Sequence, residues 1–544
     1  MHRLTPLIPG AWVILLTSSG YSADYPEETK RMLEGLMRGV CIDFTGNRNV
    51  SRKCDNLRIT KVDEEKVNAV IEADCIANKK AGPFDQQPFK HFSCSPIGAV
   101  PKRELGKIRV IHHLSFPRGG DSINASTAEI HHSLGTFDQA TAYMIELGPG
   151  CWLIKLDVEA AYKQIPVRPE DWPLLGFKWK GKWYYERVLP FGLRSSCRLW
   201  ELYATALQRI LERCCGIKYV VHYVDDFLFV VKGFEAAKKQ LASALRICTR
   251  LGVPIAASKT EGPTTCLTFL GIQIDSVAMT ASLSAERMKR LHSLLGVWEK
   301  KTEATITELH SLEGTLQWCT TVVRPGRAFL SRLRTWRKEK GKIAEGPHAL
   351  TEEVRLDLRW WREFARDWNG VSIFYERDWL EADKIELFTD ACERGYGCRY
   401  GNRWIEGEWS QDQLNRSRNP NAPNESQQRS MPFLELLALI IAAATWAPLW
   451  KGKKIRFVTD CVPVAQSVNK RISASSSRNQ ELIRSLSLIA AKAEFDFDCK
   501  WIAGVENRAA DFLSRGDLSA FFAEVPTADR QRTIATPLPP FGSM

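Results

Sequence analysis

The chain has 544 residues, 44% of them hydrophobic and 25% charged, an ordinary globular composition with length for roughly three domains. Its net charge of +12 favours a polyanionic partner, nucleic acid first, although a merely solubilising excess of Lys and Arg has the same composition. Fifteen cysteines, an odd number with no C-x-x-C spacing, argue against a zinc ribbon, a zinc knuckle or an extracellular disulfide framework and for a reduced compartment.

At the N-terminus, a basic start (Met1 to Arg3), an apolar run (Leu7 to Leu16) and a small-residue exit (Thr17 to Ala23) share the pattern of a secretory signal. Beside so many unpaired cysteines it reads as an accidental apolar leader within a poorly defined segment 1–60, in a cytoplasmic or nuclear protein. No other run approaches the ~18 apolar residues of a membrane span, so no membrane partner is expected.

Residues 26–90 are polar with helical spacing over Glu27–Val40 and Asp63–Ala77, ending in a turn at Ala81–Asp85. Ser95 to Ser115 reads as a hairpin, with strands to Lys102 and from Ile108 and a turn through Glu104–Gly106. Lys102, Lys107 and Arg109 lie near its turn, where guanidinium and ammonium groups suit a triphosphate. An isolated basic hairpin is more often just a solvated turn.

Cys151 to Val167 puts Asp157 at the end of an apolar strand. Leu189-Pro-Phe-Gly-Leu-Arg-Ser-Ser196 opens a helix over Arg198–Arg213, with Gly192 allowing close backbone approach to a ligand. Lys218 to Val231 then sets Tyr223-Val224-Asp225-Asp226 between two apolar β-branched and aromatic runs, which predicts strand, tight turn, strand with the acids on the turn. Adjacent carboxylates on a buried hairpin repel and call for a cation. Two-metal phosphoryl transfer meets that demand with shared carboxylates, and Asp157 supplies a third. A lone Asp-Asp is more often a solvated acidic turn; the surrounding pattern reverses those odds.

Residues 276–383 carry helical apolar spacing over Leu283–Trp298 and Leu309–Trp318, with Thr305-x-x-Glu308 as a capping box. Val322 to Lys338 mixes Arg with aromatics; it suits a sugar-phosphate backbone, and equally a helix–helix core. Farther on, Asp390 ends an apolar strand, Glu435 interrupts an apolar helix, Asp460 ends another strand and Asp511 lies in Gly504–Gly516. Glu435 amid Leu and Ala is the hardest to dismiss, because a buried carboxylate without a partner is costly.

Six motifs in collinear order from Ser95 to Asp275 resemble the palm of a retroelement reverse transcriptase. They include Asp157, Leu-Pro-Phe-Gly, Tyr-Val-Asp-Asp, Leu251-Gly-Val-Pro-Ile-Ala-Ala-Ser-Lys-Thr-Glu-Gly262 and Phe269-Leu-Gly-Ile-Gln-Ile274. Gly82-Pro-Phe, Ser95-Pro, Val-Pro-Lys102, Ile111-His-His-Leu-Ser-Phe-Pro117 and His222-Tyr-Val-Asp-Asp-Phe-Leu-Phe229 most resemble DIRS-type retrotransposons, with Ty3/Gypsy elements next. Asp390, Glu435, Asp460 and Asp511 are similar to the acid set of a tethered ribonuclease H, with Cys461 standing where relatives often carry Asn.

The resemblance implies an α/β (α+β) right-hand polymerase: fingers and palm over 61–275, thumb and connection over 276–383, ribonuclease H over 384–516 and a flexible tail over 517–544. It implies catalytic roles for Asp157, Asp225, Asp226, Asp390, Glu435, Asp460 and Asp511. Asp157 and Asp225 in one centre, and the four later acids in the other, would each hold two Mg²⁺ (or Mn²⁺) ions. Lys102 and Arg109 would grip the triphosphate, Tyr162 would exclude a 2′-hydroxyl, Phe191 and Gly192 would floor the nucleotide pocket, and Lys259 would protonate pyrophosphate. The implied activity is RNA- and DNA-directed DNA synthesis from dNTPs on an RNA template with a DNA primer, with cleavage of RNA in RNA–DNA hybrids. DIRS-type elements pair such an enzyme with a tyrosine recombinase. The alternatives are a domesticated, catalytically silent nucleic-acid-binding protein, and a Ty3/Gypsy or pararetroviral polymerase.

Overall fold

A computed structural model describes residues 4–101, 106–129, 133–341, 346–367, 370–376, 378–380, 387–418, 429–471 and 477–538. The chain forms two compact units, Met1–Phe269 and Leu270–Met544. Lys102 lies outside the described residues.

In the first unit, helix α1 (Pro9–Ser18) opens with a proline at its first turn, where a missing N–H costs nothing. Trp12, Leu15 and Leu16 recur at helical spacing and are buried, together with Leu7. The Ile8 N–H and the Trp12 indole N–H both donate to the Leu251 carbonyl, at 2.9 and 3.2 Å. The segment expected to be a poorly defined leader is therefore part of this unit's main core. A ten-residue apolar run looks the same in a signal and in a short core helix, and only long-range partners separate the two.

Helices α2 (Pro26–Arg38) and α3 (Lys61–Ile76) follow. Strand β1 (Lys80–Phe84) pairs with β6 (Lys182–Glu186), which also pairs with β5 (Gly176–Trp179). Strands β2 (Ile97–Pro101) and β3 (Ile108–His112) form the expected hairpin. The central sheet has the order β7 (Val220–Tyr223), β8 (Asp226–Val231), β4 (Trp152–Asp157), β9 (Glu261–Thr264), antiparallel throughout. The near-continuous apolar run of β8 reflects burial from Phe227 to Val231. Helices α4 (Ser196–Cys215) and α5 (Phe234–Leu251) share its core.

The second unit begins with antiparallel strands β10 (Ile272–Asp275), β11 (Thr280–Ser282) and β12 (Val371–Ile373). Four helices accompany them: α6 (Ala285–Lys300), α7 (Ile306–Cys319), α8 (Ser331–Lys340) and α9 (Glu352–Asp367). The Thr305–Glu308 capping box forms as expected. The Arg-and-aromatic stretch is a packing element. Phe329 stacks on Trp360 with ring centroids 3.6 Å apart, and Leu330, Leu333 and Trp336 are buried. Arg334 and Arg337 pair with Glu313 at 3.1 and 2.7 Å, and Arg332 and Arg484 approach Asp357 at 3.7 and 2.9 Å.

The rest of this unit has an antiparallel sheet, β14 (Leu387–Ala391), β15 (Gly395–Tyr400) and β16 (Arg403–Glu408), and a parallel one, β13 (Trp379–Leu380), β17 (Lys454–Thr459) and β18 (Asp496–Trp501). Helices α10 (Met431–Trp446), α11 (Ser477–Ala493), α12 (Arg508–Ser514) and α13 (Leu518–Glu524) lie in the same unit, with shorter helices at Gln411–Ser417 and Val462–Lys470. Met431–Leu449 is long and apolar enough to cross a membrane, yet 72% of its apolar window is buried inside the protein. Of the expected flexible tail over 517–544, the stretch up to Thr533 instead packs against β16, and residues 539–544 lie outside the described residues. Phe521 and Val525 are buried beside Trp404, the Trp404 indole donates to the Asp529 carbonyl at 2.8 Å, and the Thr533 N–H donates to the Trp404 carbonyl at 2.8 Å. The polar, Pro-rich composition of the tail hides these few anchors.

Candidate catalytic centres

The first centre lies where β4, β7 and β8 end. Asp157 closes β4 and Asp226 opens β8, and the antiparallel register sets them opposite one another. Asp225 occupies the connecting turn with Val224, whose φ is +56°. A β-branched residue in that region is strained. The Trp200 indole holds it by donating to the Val224 carbonyl at 2.7 Å, and the Val158 N–H donates to the Asp225 carbonyl at 2.9 Å.

Burial, and next the Asp157 carboxylate, pushes the Asp225 acid up. Burial, then Asp225 and Asp157, pushes Asp226 up to about 6. Lys259 Nζ donates to both oxygens of Asp157, at 3.1 and 3.0 Å. Partial burial disfavours its ammonium, but the hydrogen bond and charge of Asp157 prevail and raise it. The donor chemistry of these three acids, all carboxylate oxygens, suits a hard divalent cation such as Mg²⁺, but among the described residues only the acids of the second centre bring their oxygens within 4.8 Å of one another.

Beside them lies an aromatic pocket. The Tyr162 and Phe191 rings are 5.2 Å apart, and the Arg109 guanidinium carbon sits 4.4 Å from the Phe191 centroid. Burial, then a hydrogen bond with the Cys197 side chain, raises the Tyr162 hydroxyl. Gly192 has φ +109° and a Cβ there would meet the His112 carbonyl at 2.0 Å, so only glycine lets these two backbones approach. Arg109, Tyr162, Phe191 and Gly192 thus form one cluster, and Lys259 lies on the carboxylate side.

The second centre is built from β14, α10 and the end of β17. Oxygens of Asp390, Glu435 and Asp460 lie within 4.8 Å of one another. Thr389 joins the two strand ends by donating to the Val458 carbonyl at 3.2 Å. Glu435 Oε2 is buried with no hydrogen-bond partner, the kind of orphaned atom that a cation satisfies. Burial, then Asp390 and Asp460, pushes Glu435 up to about 9. Asp390 rises to about 7, mainly through burial; the Ser514 hydroxyl opposes the rise and Asp460 and Asp511 add to it. Burial also raises Asp460. This oxygen set fits divalent cations. Asp511 stands outside the three-acid cluster, with Oδ1 accepting from Arg515 Nε at 2.7 Å.

Ser514 and Gly397 were not legible as site residues in the sequence, whereas Asn507 and Cys461 stand beside the acids that suggested this centre. Ser514 donates to Asp390 Oδ2 at 2.6 Å; its place one turn after Asp511 was the available signal. Asn507 is buried and donates to the Thr389 carbonyl at 3.0 Å and toward Asp390 Oδ1 at 3.4 Å, which anchors the loop beside the acids. Gly397 lets α12 sit close, since a Cβ there would meet the Ala510 carbonyl at 2.5 Å. Burial raises the Cys461 thiol to about 11.

An antiparallel sheet that gathers three carboxylates beside an aromatic, arginine-capped pocket is the arrangement of a nucleic-acid polymerase palm. Residues 100–274 match the family model for reverse transcriptase (RNA-dependent DNA polymerase). That match places a reverse transcriptase domain over residues 100–274 of this chain. It is similar to the Gag-Pro-Pol polyprotein of simian retrovirus SRV-2, with 26% identity over 207 residues, 37% of this chain and 11% of that one. It is also similar to the enzymatic polyprotein of cauliflower mosaic virus (strain D/H), with 21% identity over 361 residues, 66% of this chain and 49% of that one. The chain therefore spans half or less of these relatives. A solved foamy viral protease-reverse transcriptase in complex with double-stranded DNA shares the fold, with TM-score 0.50 and 16% identity over 87% of this chain and 79% of that chain.

Proposed function

We propose that the chain is a retrotransposon polymerase, copying RNA and then DNA into DNA from dNTPs, and that its second unit cleaves the RNA strand of RNA–DNA hybrids. The observation that carries this reading is the pair of separate carboxylate clusters, Asp157 with Asp225 and Asp226 in one unit and Asp390 with Glu435 and Asp460 in the other.

Asp157 and Asp225 are the residues to hold two Mg²⁺ ions in the first centre, and Asp390, Glu435 and Asp460, with Asp511 alongside, in the second. Bound metal at such sites lowers the pKa of the attacking hydroxyl or water and neutralises the charge that develops on phosphate. Arg109 binds the triphosphate, Phe191 and Gly192 support the nucleotide, and the Tyr162 ring bounds the deoxyribose and excludes a 2′-hydroxyl. Lys259 gives a proton to the leaving pyrophosphate once it lets go of Asp157, a reading supported by its place beside that acid. Lys102, outside the described residues, keeps the triphosphate-gripping role that the motif resemblance gives it. At the second centre the 2′-hydroxyl distinguishes the RNA strand from DNA.

The hairpin, Pro-Lys and His-Tyr-Val-Asp-Asp motifs favour a DIRS-type element, working in the cytoplasm or nucleus beside a tyrosine recombinase. A second origin, pararetroviral, is favoured by the long match to the cauliflower mosaic virus polyprotein; a recombinase reading frame adjacent to this one separates the two. The activity is tested by Mg²⁺-dependent primer extension on RNA and by cleavage of a labelled hybrid. Hybrid binding with neither reaction would contradict the reading in favour of a silent binding protein.

A further inference from the structure

Four charged side chains lie in the first unit that none of these steps uses. Lys80 Nζ donates to Asp74 Oδ2 and to Glu186 Oε2, each at 2.9 Å. Lys163 Nζ donates to the same Asp74 oxygen at 2.6 Å. Asp74, Lys80 and Glu186 are 8%, 4% and 4% exposed and the Lys163 side chain is 18% exposed, so the network is buried apart from its Lys163 end, with two cations matched to two anions.

The network joins two bodies of structure. Asp74 belongs to α3, and Lys80 and Glu186 are register partners across β1 and β6, so the sheet already fixes that pair. Lys163 belongs to the short 3₁₀ turn Ala161–Gln164 that follows Asp157. Its neighbour in that turn is Tyr162, whose ring faces Phe191 and whose hydroxyl feels Asp225. On the other side, Gln164 Nε2 donates to the Glu159 carbonyl at 2.7 Å.

Buried ion pairs are weak contributors to stability, because desolvation offsets most of their attraction; they do fix geometry. Lys80 alone already supplies both acids with a cation. The Lys163–Asp74 bond is the one that reaches across to the turn carrying Tyr162.

We propose that the Asp74–Lys163 ion pair is a positioning device that holds Tyr162 as the sugar-facing wall of the nucleotide pocket and thereby sets discrimination between deoxyribo- and ribonucleoside triphosphates. The inference rests on the reading that Tyr162 bounds the deoxyribose.

The test is the ratio of kcat/KM for dCTP over CTP in primer extension by the full chain. It compares the unaltered protein, Tyr162→Ala, Lys163→Arg, Lys163→Met and the charge-balanced Lys163→Met/Asp74→Asn. The double variant keeps the Lys80–Glu186 pair without excess charge, so it reports even if Lys163→Met alone fails to fold. The expected result is a collapse of the ratio in Tyr162→Ala and a roughly tenfold fall in Lys163→Met and the double variant, through faster CTP use. Lys163→Arg should keep most of it. A ratio unchanged in the double variant while Tyr162→Ala changes it overturns the tether and leaves the sugar-wall reading standing. An unchanged ratio in Tyr162→Ala overturns the sugar-wall reading, and the tether with it.

Discussion

Lys259 holds Asp157 by both carboxylate oxygens, at 3.1 and 3.0 Å. The ammonium therefore occupies the face on which a divalent ion would bind, and the two cations compete for one acid. Replacing Lys259 by Met should lower the Mg²⁺ concentration needed for half-maximal primer extension, because no resident cation has to leave. The same change should slow extension on the order of a hundredfold if this lysine also protonates pyrophosphate. A Mg²⁺ titration of extension rate reads both effects, and an unchanged Mg²⁺ midpoint counts against competition.

The second centre should release protons when it takes metal. In the metal-free chain at neutral pH, Glu435 at about 9 is protonated and Asp390 at about 7 is about half protonated, and metal ligation requires the carboxylates. Both folded-state values lie above the unfolded ones. Their contribution to stability is thus fully present below the unfolded values and is lost as pH rises through about 7 and then about 9. Melting in EDTA should therefore show a second unit that weakens from pH 5 to pH 9. Mg²⁺ should restore most at the alkaline end, and Glu435→Gln should flatten the profile.

Trp12 gives a test of the N-terminal packing. It is 1% exposed, bonded to Leu251 and edge-on to Tyr203. Trp12→Ala should cost the first unit about 3–5 kcal/mol, seen as a lower melting temperature together with lost extension. A variant that melts normally would return this segment to the status of a leader.

Gly192 tests the pocket. With φ at +109° and the His112 carbonyl where a Cβ would go, Gly192→Ala should cost about 1–3 kcal/mol in backbone strain alone and raise the KM for dNTP. An unchanged KM would mean that this approach does not shape the nucleotide site.

The catalytic hairpin was legible because its signal is local. Apolar strands around Asp225 and Asp226 leave few other folds, and the structure differs only in placing Asp226 on the strand rather than in the turn. The four later acids were legible one by one, through strand ends and an apolar helix around Glu435. Asp511 stands outside the three-acid cluster, paired with Arg515 at an i,i+4 helical spacing. What the sequence hid were contacts between distant positions. Arg332, Arg334 and Arg337 suggested nucleic acid because their partners, Asp357 and Glu313, lie in other helices. The α1 run suggested a leader because its partner, Leu251, is 239 residues away from Trp12. The link between Asp74 and Lys163 spans 89 residues and left no motif at all.

The central claim, two independent metal-dependent centres on one chain, is tested most directly by assaying both reactions on one set of variants. Asp225→Asn/Asp226→Asn should abolish Mg²⁺-dependent primer extension on RNA while hybrid cleavage persists. Asp390→Asn should abolish cleavage while extension persists. Extension that survives the first variant, or a chain that binds the hybrid but performs neither reaction before any substitution, would contradict the account.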